Sequence, residues 1–293
     1  MDWKQKAEII ENQTSLGKRE SQVLALDKGG FDIDEVLEMI SEVEDDVPTV
    51  ETLKSIRSKL RKRDIQMRIG TRIMDGGVEN ALLPHRSDFE PNKSVTTVAY
   101  LGSIGSGKTV GAQKHALDLI GDDDGAEVIV IDVLDEWRNF QDVEMISVKD
   151  LSQERSGDSI LRKVKSTVHE MQEDKNYVIF IEQAHYLLSD DEGMSELYRT
   201  LEETNARISL RLISQAYDDF VSPNFDIDVY NIFRMDTNPL PDMGVENLGI
   251  VTPRNLSTGT KKPTSEVIQY DVANEEASLW CVYLTDEERE ILT

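Results

Sequence analysis

Gly102-Ser103-Ile104-Gly105-Ser106-Gly107-Lys108-Thr109 satisfies the pattern G-x-x-x-x-G-K-[ST] in full. Its surroundings are those the pattern requires. Val95 to Leu101 is rich in β-branched residues and reads as a strand, while Thr109 to Ile120 carries Val110, Ala116, Leu117 and Ile120 and stops at Gly121, as a helix does. In a strand, loop and helix of this kind the glycines let backbone N–H groups close on phosphates, and the helix N-terminus adds partial positive charge. Lys108 then reaches the β and γ oxygens and the Thr109 hydroxyl ligates Mg²⁺. ATP and Mg²⁺ are the expected cofactors, and Gly102, Ser103, Ile104, Gly105, Ser106, Gly107, Lys108, Thr109 and Val110 the expected binding set.

A P-loop needs an acid at the end of a neighbouring buried strand to support the metal's water shell. Tyr177-Val-Ile-Phe-Ile-Glu182 supplies it, with Gln183-Ala184-His185 following. Two further strands end at polar residues: Glu127-Val-Ile-Val-Ile-Asp132 and Leu210-Arg-Leu-Ile-Ser-Gln215. Helical stripes separate them, Ile160, Leu161, Val164, Val168 and Met171 in one and Met194, Leu197, Tyr198 and Leu201 in another. Strands alternating with helices predict an α/β fold, a doubly wound and mainly parallel sheet forming a P-loop NTPase core of RecA/ASCE-like type, with its site at the strand C-termini. Glu182 is expected to hold Mg²⁺ together with Thr109, through water. Gln215 is expected beside the γ-phosphate.

Three separated motifs within residues 94–240 resemble the HerA/FtsK superfamily of DNA-pumping P-loop ATPases. The first is the P-loop. The second is Val130-Ile-Asp132-Val-Leu-Asp135-Glu136-Trp137, which looks like that superfamily's strand ending in Asp followed shortly by Gly-Glu-Tyr. The third is Ile181-Glu182-Gln183-Ala184-His185 with Ile213-Ser214-Gln215, similar to its acid-acid-Ala-His Walker B and its Ser/Thr-Gln sensor. The resemblance implies a homo-oligomeric ring, commonly hexameric, that threads double-stranded DNA while hydrolysing ATP. Its members include chromosome translocases, conjugation ATPases and the genome-packaging ATPases of membrane-containing viruses, and the compact length here looks most like the packaging type. A capsid or membrane-vertex protein is then an expected partner.

Two positions depart from the family pattern. Gln183 stands where the second Walker B acid activates the attacking water; an amide cannot act as a general base, although it can orient water. Arg207 is the better placed of two candidates for the arginine finger, the other being Arg211. Arg207 reads equally as a cation at the end of the helix before the sensor strand, favoured there by the helix dipole. The catalytic set is therefore Lys108, Glu182, Gln183, Gln215 and Arg207.

Charge divides the chain differently. Up to residue 90 there are 14 basic and 19 acidic residues, and beyond it 18 and 38, giving −5 and −20 of the total −25. Such a charge repels itself unless salt screens it, which points to a salt-loving source; together with the resemblance to the packaging type, it implies a virus or plasmid of a halophilic archaeon. Against this background residues 54–72 hold Lys54, Arg57, Lys59, Arg61, Lys62, Arg63, Arg68 and Arg72 against Asp64 alone. Such a block reads either as a phosphate-binding face or as a solvated helix side. Ile33, Val36, Leu37 and Ile40 behind Asp32 and Glu35 predict a capped helix over 33–41. Val50, Leu53, Ile56, Leu60 and Met67 predict another over 50–69, with Thr49 as its cap, and Glu20 to Leu26 a shorter one. The domains expected are a helical unit over 1–75, a candidate DNA-binding helix-turn-helix, a linker over 76–93 and the ATPase over 94–293. An oligomerisation or docking role is the alternative for the helices.

Lys261 and Lys262, in a basic loop from Arg254, are the remaining DNA-contact candidates, and a plain hairpin tip is their other reading. The strand Trp280 to Leu284 and a closing helix from Asp286 to Leu292 are expected after it. His185 is expected to pack at a helix start, and Asp122-Asp123-Asp124 to be a solvated turn. No apolar run approaches the roughly 20 residues of a membrane span, a single cysteine excludes an internal disulfide framework, and the chain is expected in the cytoplasm or a particle. Two other functions fit the motifs: an ATP-gated, DNA-associated switch with weak hydrolysis, and a small-molecule P-loop kinase.

Overall fold

A computed structural model describes residues 2–13, 16–64, 94–121, 126–132, 134–140, 144–147, 157–172, 175–188, 191–215, 217–220, 226–235, 239, 265–282, 284 and 286–292. The linker over 76–93, the end of the 50–69 helix with Arg68 and Arg72, the turn at Asp122 to Asp124, and the loop carrying Lys261 and Lys262 lie outside them.

Among the described residues the N-terminal unit has four helices: α1 (Trp3–Gln13), α2 (Lys18–Lys28), α3 (Ile33–Ser41) and α4 (Val50–Asp64). The first was not anticipated. The predicted capping box of α3 is present, with Asp32 Oδ1 accepting from the Asp34 and Glu35 amides, both at 2.9 Å, and Glu35 Oε2 accepting from Asp32 N at 2.8 Å. Thr49 Oγ1 accepts from Thr52 N at 3.1 Å and so caps α4 as expected. Ile10, Leu24, Leu26, Val36, Ile40, Leu53 and Leu60 are buried within the unit.

Among the described residues the second unit is an eight-stranded sheet in the order β3-β2-β4-β5-β1-β6-β7-β8. Its strands are β1 (Val95–Leu101), β2 (Glu127–Asp132), β3 (Glu144–Ser147), β4 (Asn176–Ile181), β5 (Arg207–Ser214), β6 (Val229–Ile232), β7 (Ser265–Asp271) and β8 (Glu276–Val282). From β3 across to β6 neighbouring strands run parallel; β7 and β8 add an antiparallel edge. The central strands are buried along nearly their whole length, which explains their unbroken apolar runs: a parallel strand covered on both faces has no side to leave polar. The covering helices are α5 (Lys108–Gly121), α6 (Gly157–Glu170), α7 (His185–Leu188), α8 (Asp191–Glu202) and α9 (Asp286–Leu292).

One contact in this layer makes a prediction. A Cβ on Gly111, in α5, would lie 2.4 Å from Cζ of the fully buried Phe233. Alanine normally improves a helix by about 1 kcal/mol over glycine, but overpacking a closed core costs about 1–3 kcal/mol. Gly111→Ala is expected to lose about 1–2 kcal/mol in thermal denaturation, and adding Phe233→Leu to recover most of it. A stabilised Gly111→Ala would show that Phe233 yields freely.

Candidate nucleotide-binding site

The parallel register places four strand ends side by side. Leu101 pairs with Ser214, Leu212 with Ile181, and Ile181 with Ile131, so Gly102, Gln215, Glu182 and Asp132 emerge at one edge of the sheet. Hydrogen bonds continue past the strands and hold these residues in place: Glu182 N donates to Ile131 O at 3.1 Å and Ala184 N to Ile213 O at 2.9 Å. Glu182 does not lie on the immediate neighbour of the P-loop strand, as expected from sequence. β5 is inserted between β1 and β4, which sets Gln215 between the P-loop and the acid.

The loop after β1 closes tightly. Gly105 and Gly107 take φ of 71° and 91°, a region closed to most side chains. Ser103 N donates to Arg234 O at 3.0 Å, which ties the loop to the end of β6, and Ser106 N donates to Ser103 O at 3.1 Å. Lys108 opens α5 and is buried. The loop borders a cavity of about 680 Å³ whose wall includes Lys108, Thr109, Val110, Gln183 and Gln215. Leu134, Asp135, Glu136, Arg138 and Asn139 from the turn after β2, Gln113 from α5 and Leu292 from α9 also line it. Lys114 links α9 to α5, bonding Glu288 at 2.8 Å as well as Asp118.

That turn is built on one carboxylate. Asp132 Oδ1 accepts from Leu134 N at 3.1 Å and Glu136 N at 3.2 Å, and its Oδ2 from Trp137 N at 3.2 Å. Asp135 takes a left-handed φ of 64°, at the position where the resembled family has glycine, and Asp is among the few residues that tolerate it. Gln113, from α5, donates through Nε2 to Glu136 O at 2.8 Å. Trp137 is fully buried against Phe140 and Phe180, with ring centroids 5.1 and 5.3 Å away, and its Nε1 donates to Glu182 Oε1 at 3.2 Å.

Two buried oxygens at this edge, Ser106 Oγ and Glu182 Oε2, have no hydrogen-bond partner. Buried polar atoms are rarely left so. An Mg²⁺ ion with a nucleotide's phosphates fits here: Thr109 and Glu182 would hold the ion and the loop amides the phosphates. Burial, reinforced by the Glu136 carboxylate, raises the Glu182 pKa to about 7, while the Trp137 indole, the Thr109 hydroxyl and the Lys108 ammonium oppose the rise. The folded chain thus holds a proton on Glu182 that the unfolded chain has lost above its ordinary value of 4.5. This contribution to stability is fully present below that value and disappears as the pH rises through 7. Glu182→Gln mimics the protonated form and keeps the indole's acceptor. In nucleotide-free protein it is expected to leave stability unchanged at pH 4.5 and to raise it by about 2–3 kcal/mol at pH 9. Equal denaturation midpoints for the two proteins at pH 9 would refute the shift.

Lys108, Thr109, Glu182, Gln183 and Gln215 therefore meet as expected. Gln183 has φ of 53° and a half-buried side chain on the cavity wall. Arg207 does not join them. It is the first residue of β5, not the last of a helix, paired with Asn176 at the far edge of the sheet, about 23 Å of strand from Ser214. The helix-dipole reading of Arg207 fails for the same reason: α8 ends at Glu202. Arg211 is buried in mid-strand, and burial pulls its guanidinium down to about 9. His185 opens α7 half-buried, its ring tilted at 38° to that of Tyr186 with centroids 4.1 Å apart. Sequence reading missed the roles of Gln113 and Trp137 and the presence of Arg138, Asn139 and Leu292 in the wall.

Among the proposed DNA contacts, Lys54 and Lys59 are exposed on α4, and the backbone of Arg61, Lys62 and Arg63 continues the same helix. Arg57 is engaged inside the unit. It forms an ion pair with Asp27 and donates through Nη2 to Phe31 O at 2.6 Å, because its helix face turns toward α2.

The glycine loop, the acid one strand removed from it and the inserted sensor strand define a P-loop NTPase core. No family model matches the chain, and no curated protein matches its sequence. Among solved structures it is similar to the genome-packaging NTPase B204 from Sulfolobus turreted icosahedral virus 2 in complex with AMPPCP. Identity there is 13% and the TM-score 0.42, with 64% of this chain and 98% of that one covered. It is also similar to the pCW3 conjugation coupling protein TcpA (16% identity, TM-score 0.40, covering 69% and 65%). ATPases 2 and 3 of EssC from Geobacillus thermodenitrificans follow (9%, 0.40, 68% and 42%).

Proposed function

We propose that this chain is an ATPase that moves double-stranded DNA, a HerA/FtsK-type motor of the genome-packaging or plasmid-transfer kind. The observation that carries the reading is the convergence of all three motifs behind the resemblance at one edge of the sheet: the P-loop, Asp135 and Glu136 of the turn after β2, and Gln183 and Gln215 line one cavity, while Trp137 of that turn bonds the buried Glu182. Each is separated from the others in sequence, and only the strand order brings them together. Mg²⁺, held by Thr109 and Glu182, would supply the charge that offsets the phosphate oxygens. Lys108 and the loop amides orient the triphosphate, and Gln183 and Gln215 are placed to orient water at its γ end. The exposed lysines of α4 offer a surface for DNA phosphates. Assembly into a homo-oligomeric ring follows from the same reading.

The reading is tested by phosphate release from ATP in high-salt buffer, with and without double-stranded DNA. Turnover that DNA stimulates supports the motor. Gln183 favours a second reading, an ATP-gated switch with weak hydrolysis, because that position lacks a carboxylate; binding without turnover, until Gln183→Glu is introduced, would select it.

A further inference from the structure

We propose that Glu136 is the carboxylate that takes the proton of the attacking water in this site, the role for which Gln183 lacks the chemistry. The inference rests on the ATPase reading above. As the water oxygen bonds to the γ-phosphorus, the bond from that phosphorus to the β–γ bridging oxygen breaks and its electron pair leaves with the diphosphate. The water proton passes to a Glu136 oxygen and from there to solvent.

Three observations place the role at this residue. Glu136 shares the cavity wall with Lys108, Thr109, Gln183 and Gln215, and its side chain is exposed to that space. Its backbone is pinned on both sides, the amide by Asp132 Oδ1 at 3.2 Å and the carbonyl by Gln113 Nε2 at 2.8 Å, so an exposed carboxylate stands on a fixed base. Such preorganisation is what proton transfer in a positioned complex demands. Finally, the residue next to Glu136, Trp137, donates through its indole to Glu182 Oε1 at 3.2 Å, which sets this turn beside Glu182. Glu182 itself is buried, with one oxygen engaged by Trp137 and the other without a hydrogen-bond partner. Asp135 also borders the cavity, one residue earlier, and serves as the competing assignment.

The full-length chain is assayed for phosphate release alongside equilibrium binding of a non-hydrolysable ATP analogue with Mg²⁺. Wild type, Glu136→Gln, Asp135→Asn and Glu136→Gln combined with Gln183→Glu are compared. Glu136→Gln is expected to lower turnover by about 10²- to 10⁴-fold while analogue affinity stays within about threefold, since removing a proton acceptor spares ground-state binding. The combined variant is expected to regain at least about a tenth of wild-type turnover, because a carboxylate again faces the water. Wild-type turnover with an unimpaired Glu136→Gln overturns the assignment and leaves the ATPase reading standing. So does a loss confined to Asp135→Asn, or a fall in analogue affinity that accounts for the whole effect of Glu136→Gln. Absence of wild-type turnover in high salt, with or without DNA, overturns the ATPase reading and this assignment with it.

Discussion

Trp137→Ala is expected to lower the unfolding free energy by about 3–5 kcal/mol, the range for deleting a large aromatic side chain from a closed core. The ring is wholly buried and its neighbours, Phe140 and Phe180, belong to the same turn and to β4, which the sheet holds in place. Little of the cavity can collapse. The loss has two parts, and Trp137→Phe separates them. Phenylalanine keeps much of the apolar burial but removes the indole N–H, leaving Glu182 Oε1 without that donor. An unsatisfied buried acceptor costs about 1–3 kcal/mol, and the Glu182 pKa should climb further for want of the bond. Urea denaturation at pH 6 and pH 9 measures both effects. A cost below about 1 kcal/mol for Trp137→Ala would mean that this ring is not part of the cooperative core.

The second large effect concerns turnover. Lys108→Ala is expected to reduce phosphate release by about 10³-fold, the range for removing one preorganised donor to developing charge. Lys108 is buried at the first turn of α5 and borders the cavity. Its charge acts where screening by water is weak. Lys108→Arg should recover little, since a planar fork does not fit a position shaped for a compact ammonium. Activity within about tenfold of wild type in Lys108→Ala would move the phosphate site away from this loop.

Local signals were legible where one residue's neighbours in sequence are also its neighbours in space. The Asp32 and Glu35 capping box, the β-branched run into Gly102 and the apolar run into Glu182 are all of that kind. α1 was not anticipated, although Trp3, Ala7 and Ile10 have helical spacing, because the charged residues between them masked it. What sequence did not reveal depends on distant partners. The insertion of β5 between β1 and β4 is a matter of register across the whole sheet. Arg57 sits in a run of similar cations, and only the packing of α4 on α2 distinguishes it from Lys54 and Lys59. The bond from Trp137 to Glu182 spans 45 positions. β6 and β7, where polar Asn231 and Gln269 bond each other at 3.1 Å inside the core, lack the apolar run that marked the other strands. The helical unit's linker and the loop with Lys261 and Lys262 fall outside the described residues.

The single carboxylate of Asp132 holds the amides of Leu134, Glu136 and Trp137 at once. In hydrogen–deuterium exchange these three amides should therefore behave as one unit, protected together and released together. Any opening that frees them also withdraws the indole from Glu182 and unseats the backbone of Glu136. The site thus has an assembled and a disassembled form with little between them, and a nucleotide that prefers the first would be read out as slower exchange at all three amides.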